Sequence, residues 1–350
     1  MEKLYLISPN KKINNTLKNM IEFSTNGYPL EIIRTVAQAK DLSNKKLLFV
    51  AESSVIGYDL PMINFLWKVY NKNNNAFEGS TGALLISSVD EEGTKRLGQD
   101  IIYIANNMGC SFIGHPMIEA IDSLKNFLTW QKTIKKPLAE IAYTLSSRLV
   151  MRLMEDSPKP TSGGKLLVLY SMPHKTSNTL DLWHMVSSHL DNYKIKEVQI
   201  ESGQVLDCVG CPYKICMHYG KNQGCFYGGI MTKDIIPAIK ESDAIVWLCP
   251  NYNDAISANL TAVINRITAL YRQMTFYNKS IFAVIVSGNS GSDSIAKQLI
   301  GALNINKGFR LPAYFSIRAL ANDPRSILQE DNIFEKSKDF SDVIKKNVRV

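Results

Sequence analysis

The chain has 350 residues, of which 45% are hydrophobic and 21% charged, with a formal net charge of +8. At roughly 100–200 residues per domain the length suggests two domains, and the ordinary apolar, Gly, Pro and Cys content excludes a disordered, collagen-like or disulfide-dense chain. The positive charge falls in short groups such as Lys45-Lys46 and Lys345-Lys346, not along one helix or arm; this favours solubility and anionic ligands over a nucleic-acid partner.

In chain order, residues 3–8 read as a short β-strand that begins almost at the N-terminus, without the apolar h-region and small-residue cleavage site of a signal peptide. No apolar run reaches the ~18 residues that would cross a bilayer. The expectation is a cytoplasmic protein with reduced thiols and no membrane partner. A helical pattern over 15–23 follows, then a fully apolar strand at 47–51, an apolar-faced helix over 59–70, and a third strand at 83–88. Residues 138–154 form another helical pattern, and the Met-rich stretch from Met151 to Met154 reads as packing. Residues 157–164, rich in Pro, Ser and Gly, read as a linker.

The same order then recurs. A strand at 165–170 leads to a helix opening on Asn178-Thr179-Leu180, matching Asn15-Thr16-Leu17 at an offset of 163. The apolar strand 244–248 and the helix 259–271 match 47–51 and 59–70, and Ala283-Val-Ile-Val-Ser-Gly288 matches Ala83-Leu-Leu-Ile-Ser-Ser88 at an offset of 200. Gly109…Pro116 then parallels Gly308…Pro312. Buried strands alternating with amphipathic helices predict parallel sheets covered on both faces. The expectation is an α/β chain of two tandem doubly wound domains, 1–156 and 165–350. The offset grows by 37 residues between the first and third strands, and four of the six cysteines, Cys208, Cys211, Cys216 and Cys225, lie in that excess.

In an open α/β sheet, ligands bind at the carboxyl ends of the strands, with phosphate at the first helix N-terminus. The loop there, Ser171-Met-Pro-His-Lys-Thr-Ser-Asn-Thr179, lacks a Gly-x-Gly-x-x-Gly fingerprint. It offers hydroxyls, an amide and backbone N–H groups instead, with His174 and Lys175 as cations. Such a set suits a compact phosphomonoester, and equally suits plain helix capping. Four thiolates at Cys208-x2-Cys211-x4-Cys216-x8-Cys225 suit a cuboidal iron–sulfur cluster, a zinc ion, or free thiols that pack a long loop. His218, among them, is an alternative ligand. His184 and His189 read as ordinary helix faces, and Cys110 and Cys249 as small core residues.

At these residues the chain resembles the flavodoxin-like NAD(P)H-dependent FMN reductases, in particular their iron–sulfur flavoprotein branch. The family's first loop, Gly-Ser-Pro-Arg-x-x-Ser-Asn-Thr, is matched at Pro173, Ser177, Asn178 and Thr179, and departs at Ser171, Met172 and His174. Cys208-Val-Gly-Cys211, Asp243-Ala-Ile-Val246, Pro250-Asn251-Tyr252 and Ser287-Gly-Asn-Ser-Gly291 follow in family order, with Asn265-Arg266 where the family has Asp-Arg. The Cys spacing departs, with four residues between the second and third cysteines where the family has two.

The resemblance, which covers about residues 165–320, implies two flavodoxin-like domains. The first is degenerate and without cofactor, since Glu52 stands where a flavin would sit. The second binds FMN and carries a Cys-rich insertion, 208–225. FMN phosphate is expected at Ser171, His174, Thr176, Ser177, Asn178 and Thr179. The isoalloxazine is expected between Pro250, Asn251, Tyr252 and Asn253 on one side and Ser287, Gly288, Asn289 and Gly291 on the other. Phe226 and Tyr227 would cover the Cys loop or the flavin edge. Because the flavin performs the hydride chemistry, no catalytic side chain is required. The implied function is an FMN-dependent oxidoreductase that takes a hydride from NAD(P)H and reduces a flavin, quinone or redox protein. The alternatives are an electron carrier with a [4Fe–4S] cluster and ferredoxin-like partners, and a cofactor-free scaffold. A homo-oligomer is expected in the reductase case.

Overall fold

A computed structural model describes residues 2–157, 161–171, 177–221 and 224–350. The chain divides into two compact units, Met1–Pro158 and Lys159–Val350.

The first unit contains β1 (Leu4–Ile7), α1 (Asn15–Thr25), β2 (Leu30–Ile33), β3 (Lys46–Ser53), α2 (Leu60–Lys72), β4 (Thr81–Ser88), α3 (Thr94–Asn106), β5 (Ser111–Ala120), α4 (Leu128–Ile134) and α5 (Leu138–Glu155). The helices start where capping chemistry directs. Asn14 accepts the Leu17 N–H at 2.8 Å before α1, and Asp59 accepts the Met62 N–H at 3.0 Å before α2, which also carries Pro61 in its first turn. Every residue of β4 is buried, as expected of a central strand covered on both faces. The five strands pair in parallel in the order β2-β1-β3-β4-β5.

The second unit contains β6 (Thr161–Ser162), β7 (Lys165–Tyr170), α6 (Asn178–Ser187), β8 (Lys194–Gln199), α7 (Tyr213–Lys221), α8 (Ile236–Glu241), β9 (Ala244–Pro250), α9 (Ala258–Arg266), α10 (Thr268–Tyr271), β10 (Ser280–Ser287), α11 (Ser292–Leu299), β11 (Ser316–Leu320), α12 (Ile333–Asn347) and β12 (Val348–Arg349). Its main sheet runs β11-β10-β9-β7-β8, which is the first unit's order repeated. In both, the second strand lies outside the first, and the third to fifth extend the other way. This is the flavodoxin-like doubly wound order. All residues of β9 and β10 are buried. One core layer joins Val168, Val246, Val284 and Phe282 of the sheet to Trp183 of α6 and Phe340 of α12.

The structure departs from the sequence reading at four places. The helical pattern over 259–271 is two helices, α9 and α10, which break at Ile267. The segment read as a linker contains β6, which pairs in parallel with β12. Met154 packs on the core of the first unit, but Met151 is exposed. Gly109 and Gly308 do precede the fifth strands, but Pro116 lies within β5 and Pro312 before β11. The excess residues of the second unit fall between β8 and β9, where residues 200–243 stand in place of residues 34–45.

Candidate functional site

The strand order reverses between β7 and β9, and the crevice at the carboxyl ends of these strands is the ligand position of such a sheet. β7 ends at Tyr170, with Ser171 next in the chain, β9 at Pro250 and β10 at Ser287. The Ser171 hydroxyl lies 2.7 Å from that of Ser257, the residue before α9. Ser257 therefore gives up its own helix-capping bond and ties the β7 end to the α9 start. Ser287 is fully buried, and its hydroxyl has no hydrogen-bond partner among the described residues.

The loops after β9 and β10 are clasped together. The Asn251 amide donates to Ser290 O at 2.8 Å and to Asp254 Oδ1 at 2.9 Å, and its oxygen accepts the Asp254 N–H at 2.8 Å. Asn253 and Asp254 both take left-handed backbone (φ 55°), which turns the loop back so that Tyr252 pairs with Ala255. Gly291 is also left-handed (φ 88°), and a Cβ there would overlap the Asp254 carboxylate. A Cβ on Gly288 would stand 2.8 Å from Asn322 Oδ1. Glycine is thus required at 291, where the backbone is left-handed, whereas at 288 the Asn322 side chain would have to move aside. Asn289 turns inward on its own loop, accepting the Ser290 N–H at 2.7 Å. Tyr252 and Asn253 are exposed at the rim.

Of the expected phosphate-loop residues, Pro173, His174, Lys175 and Thr176 lie outside the described residues. Ser177 caps α6, accepting the Leu180 N–H at 3.4 Å, and Thr179 is buried. The Asn178 side chain is spent within the unit. It donates to Ala321 O and Asp323 O at 3.2 and 2.8 Å and accepts the Ile327 N–H at 3.4 Å. Only the backbone at Asn178 is available to an anion, with the first-turn N–H groups of α6 and the helix dipole.

The four clustered cysteines line one cavity of about 230 Å³, together with Val209, Ile215, Tyr219, Phe226, Tyr227, Arg266 and Arg272. The thiols share its wall without converging, for no three His, Cys, Asp or Glu among the described residues are gathered closely enough to hold a metal ion. Phe226 and Tyr227 cover this loop, in an edge-to-face row that runs from His218 through Tyr219 and Phe226 to Tyr227. His218 packs its ring on Tyr219 and is not part of the cavity wall. Lys307 donates to Thr268 Oγ1 at 2.7 Å beside the cavity. Burial lowers the pKa of its ammonium, and Arg272 lowers it further, while Cys208 acts in the opposite direction.

The other two cysteines differ in kind. Cys110 and Cys249 are fully buried, and burial alone pushes the Cys249 thiol up to about 12 and Cys110 well above its ordinary value. His184 and His189 are exposed on and just after α6. The sequence reading named Arg266 only as part of Asn265-Arg266, without a role at this cavity, and did not single out Arg272. The available signal was Arg266 on the apolar stripe of α9, three residues after Val263.

In the first unit the equivalent crevice is closed by its own side chains. Glu52, on β3, accepts the Asn14 backbone N–H at 2.5 Å, and its own N–H donates to Asp59 at 2.8 Å. The Asn14 amide donates to Ser87 at 3.1 Å, at the end of β4. A carboxylate thus holds the loop N–H that a phosphate would need.

Sheet order, clasped loops and strand-end crevice define the second unit as a flavodoxin-like domain. Over residues 164–321 it matches the family model described as NADPH-dependent FMN reductase. Among solved structures, the chain is similar to RosB with its bound intermediate 8-demethyl-8-formylriboflavin-5'-phosphate (13% identity, TM-score 0.39, covering 53% of this chain and 80% of that one). It is also similar to the Trp repressor binding protein from Bacillus subtilis (14%, 0.35, 50% and 99%). A third is the NAD(P)H:quinone oxidoreductase from Methanothermobacter marburgensis (10%, 0.37, 51% and 98%). No curated protein matches the chain. Among the described residues no helix is long and apolar enough to cross a membrane.

Proposed function

We propose that the second unit is an FMN-dependent oxidoreductase that takes a hydride from NAD(P)H and passes electrons to a flavin, quinone or redox-protein acceptor. The observation that carries this reading is the crevice at Ser171, Asn251 and Ser287, in a domain that matches the FMN reductase family model. The unpartnered, buried Ser287 hydroxyl fits a polar ligand edge there. When bound, FMN supplies the hydride chemistry. The chain's own residues bind and orient. Ser171, Ser177, the Asn178 backbone and the α6 N-terminus receive the phosphate, with His174, Thr176 and Thr179 completing that loop. Pro250–Asn253 and Ser287–Gly291 present backbone to the ring edges, and Tyr252 offers an aromatic wall on the open side, where a nicotinamide would stack. Anaerobic addition of NADPH to FMN-reconstituted protein should bleach the flavin absorption; an unchanged oxidised spectrum would overturn the reading.

The four-cysteine cavity favours a second reading, in which the same domain is an iron–sulfur flavoprotein carrying electrons to ferredoxin-like partners. The crevice and the cavity lie at opposite ends of α9. Ser257 meets Ser171 at its start, and Arg266, its last residue, lines the cavity. Nine helical residues separate the two by about 13 Å. The first unit, with Glu52 in place of an anion, serves in this reading as a cofactor-free structural copy.

A further inference from the structure

The insertion leaves apolar surface uncovered around its cavity. Val209, Ile215, Tyr219, Phe226 and Tyr227 line that space of about 230 Å³, yet all five are exposed to solvent. Exposed apolar surface gathered at a concavity marks a place that a ligand covers. About 150 Å³ is enough for a benzene ring, so this space takes an aromatic body of one or two rings. The edge-to-face row of Tyr219, Phe226 and Tyr227 presents ring faces and edges to such a body.

The same wall carries positive charge and no negative charge. Arg266 is 2% exposed, yet its guanidinium reaches only main-chain carbonyls, Leu206 O at 3.5 Å and Gly228 O at 2.9 Å. Its buried Nε–H has no acceptor among the described residues. Arg272, half-buried, lies over the Tyr213 ring at 4.6 Å, and its Nε–H also lacks an acceptor. Neither guanidinium pairs with a carboxylate among the described residues. Asp207 is the only acidic residue between positions 206 and 227, and it does not line the cavity. Its carboxylate is held by the Asn265 amide at 2.9 Å and the Cys208 N–H at 2.6 Å. An arginine cannot shed its proton to relieve burial, so Arg266 calls for a counter-charge from outside the chain.

We propose that this cavity is a binding site for a small aromatic monocarboxylate. The ring lies against Tyr219, Phe226 and Tyr227, and the carboxylate answers the charge of Arg266, with Arg272 as a second, more exposed cation. Guanidinium and carboxylate are complementary in shape as well as charge, which favours this anion over a compact inorganic one that would leave the apolar wall uncovered. The cysteines serve here as small wall residues. The site depends on neither reading given above for the flavin crevice, and it takes the place of a cluster in the same space.

The test is equilibrium dialysis of 2-naphthoate, and of its neutral counterpart 2-naphthamide, against full-length protein saturated with FMN. Wild type, Arg266→Gln, Phe226→Ala and Tyr252→Ala are compared, with iron and zinc quantified in each. The wild type should bind one naphthoate per chain, about 10-fold or more tightly than the amide, the scale of a charge-assisted contact. Arg266→Gln should lose that preference, and Phe226→Ala should bind both compounds more weakly. Tyr252→Ala, at the rim of the crevice, should bind both as the wild type does. Should Arg266→Gln fail to fold in urea unfolding, the preference of the wild type and the loss in Phe226→Ala decide. Equal binding of the two compounds, or no binding, by the wild type would overturn the proposal. A loss in Tyr252→Ala in place of Phe226→Ala would move the ligand to the crevice and overturn it too, as would stoichiometric iron or zinc in the wild type.

Discussion

Asn251 and Ser290, 39 residues apart, are joined by a 2.8 Å hydrogen bond from the Asn251 amide to the Ser290 carbonyl. The bond brings the loops after β9 and β10 together at the mouth of the crevice, so one side chain shapes both walls of the proposed flavin site. Each such bond contributes about 0.5–1.5 kcal/mol, and Asn251 makes three. Asn251→Ala should weaken FMN binding roughly 5- to 30-fold with little change in thermal stability, since the loops are exposed. Gly291→Ala should do at least as much, because a Cβ would meet the Asp254 carboxylate and φ is left-handed. Fluorescence titration of FMN checks both, and undiminished affinity in either would contradict the assignment of these loops.

Asn178 tests a different relationship. Its side chain bonds to Ala321, Asp323 and Ile327, tying the start of α6 to the segment after β11. Asn178→Ala should therefore destabilise the second unit by about 1–3 kcal/mol in urea unfolding, while FMN affinity changes by less than threefold. A large loss of affinity at unchanged stability would show that the carboxamide holds phosphate after all.

That pair of residues shows where sequence is legible and where it is not. The apolar runs of β4, β9 and β10 announce themselves, because a strand covered on both faces must be apolar at every position. The 163-residue offset between Asn15 and Asn178 exposes the repeated fold. The bonds of Asn178 to residues some 145 positions away leave no local trace, and a polar residue at a helix start looks the same whether it meets a ligand or a distant carbonyl. The break at Ile267 is hidden because the apolar pattern runs through it. Short β6 is hidden because its pairing partner, β12, is nearly 190 residues away. The cysteine spacing located the insertion, but Arg266 and Arg272 join it only through the fold.

The buried thiol of Cys249 predicts an alkaline dependence of stability. Its pKa is raised by burial from an ordinary 9.0 to about 12, so above pH 9 the unfolded chain loses a proton that the folded chain keeps. Stability is fully present below pH 9 and falls as pH rises toward 12, by about 1.4 kcal/mol per pH unit from this group. Urea unfolding at pH 8 and pH 10 should differ by roughly that amount more in the wild type than in Cys249→Val. Identical pH dependence in the two would contradict the assignment.

Glu52 closes the crevice of the first unit by accepting the Asn14 N–H at 2.5 Å. A charge-assisted bond of this kind contributes about 1.5–3 kcal/mol. Glu52→Ala should destabilise the first unit by that order in chemical unfolding and leave the FMN content of the protein as it was. Loss of bound FMN in this variant would place the flavin in the wrong half.

The most direct measurement is the flavin content of full-length protein incubated with FMN and desalted, read from its absorption spectrum against protein concentration. One FMN per chain is expected, retained by the wild type and diminished in Gly291→Ala. A desalted wild-type protein without flavin absorption would contradict the assignment of the crevice at Ser171, Asn251 and Ser287 as an FMN site.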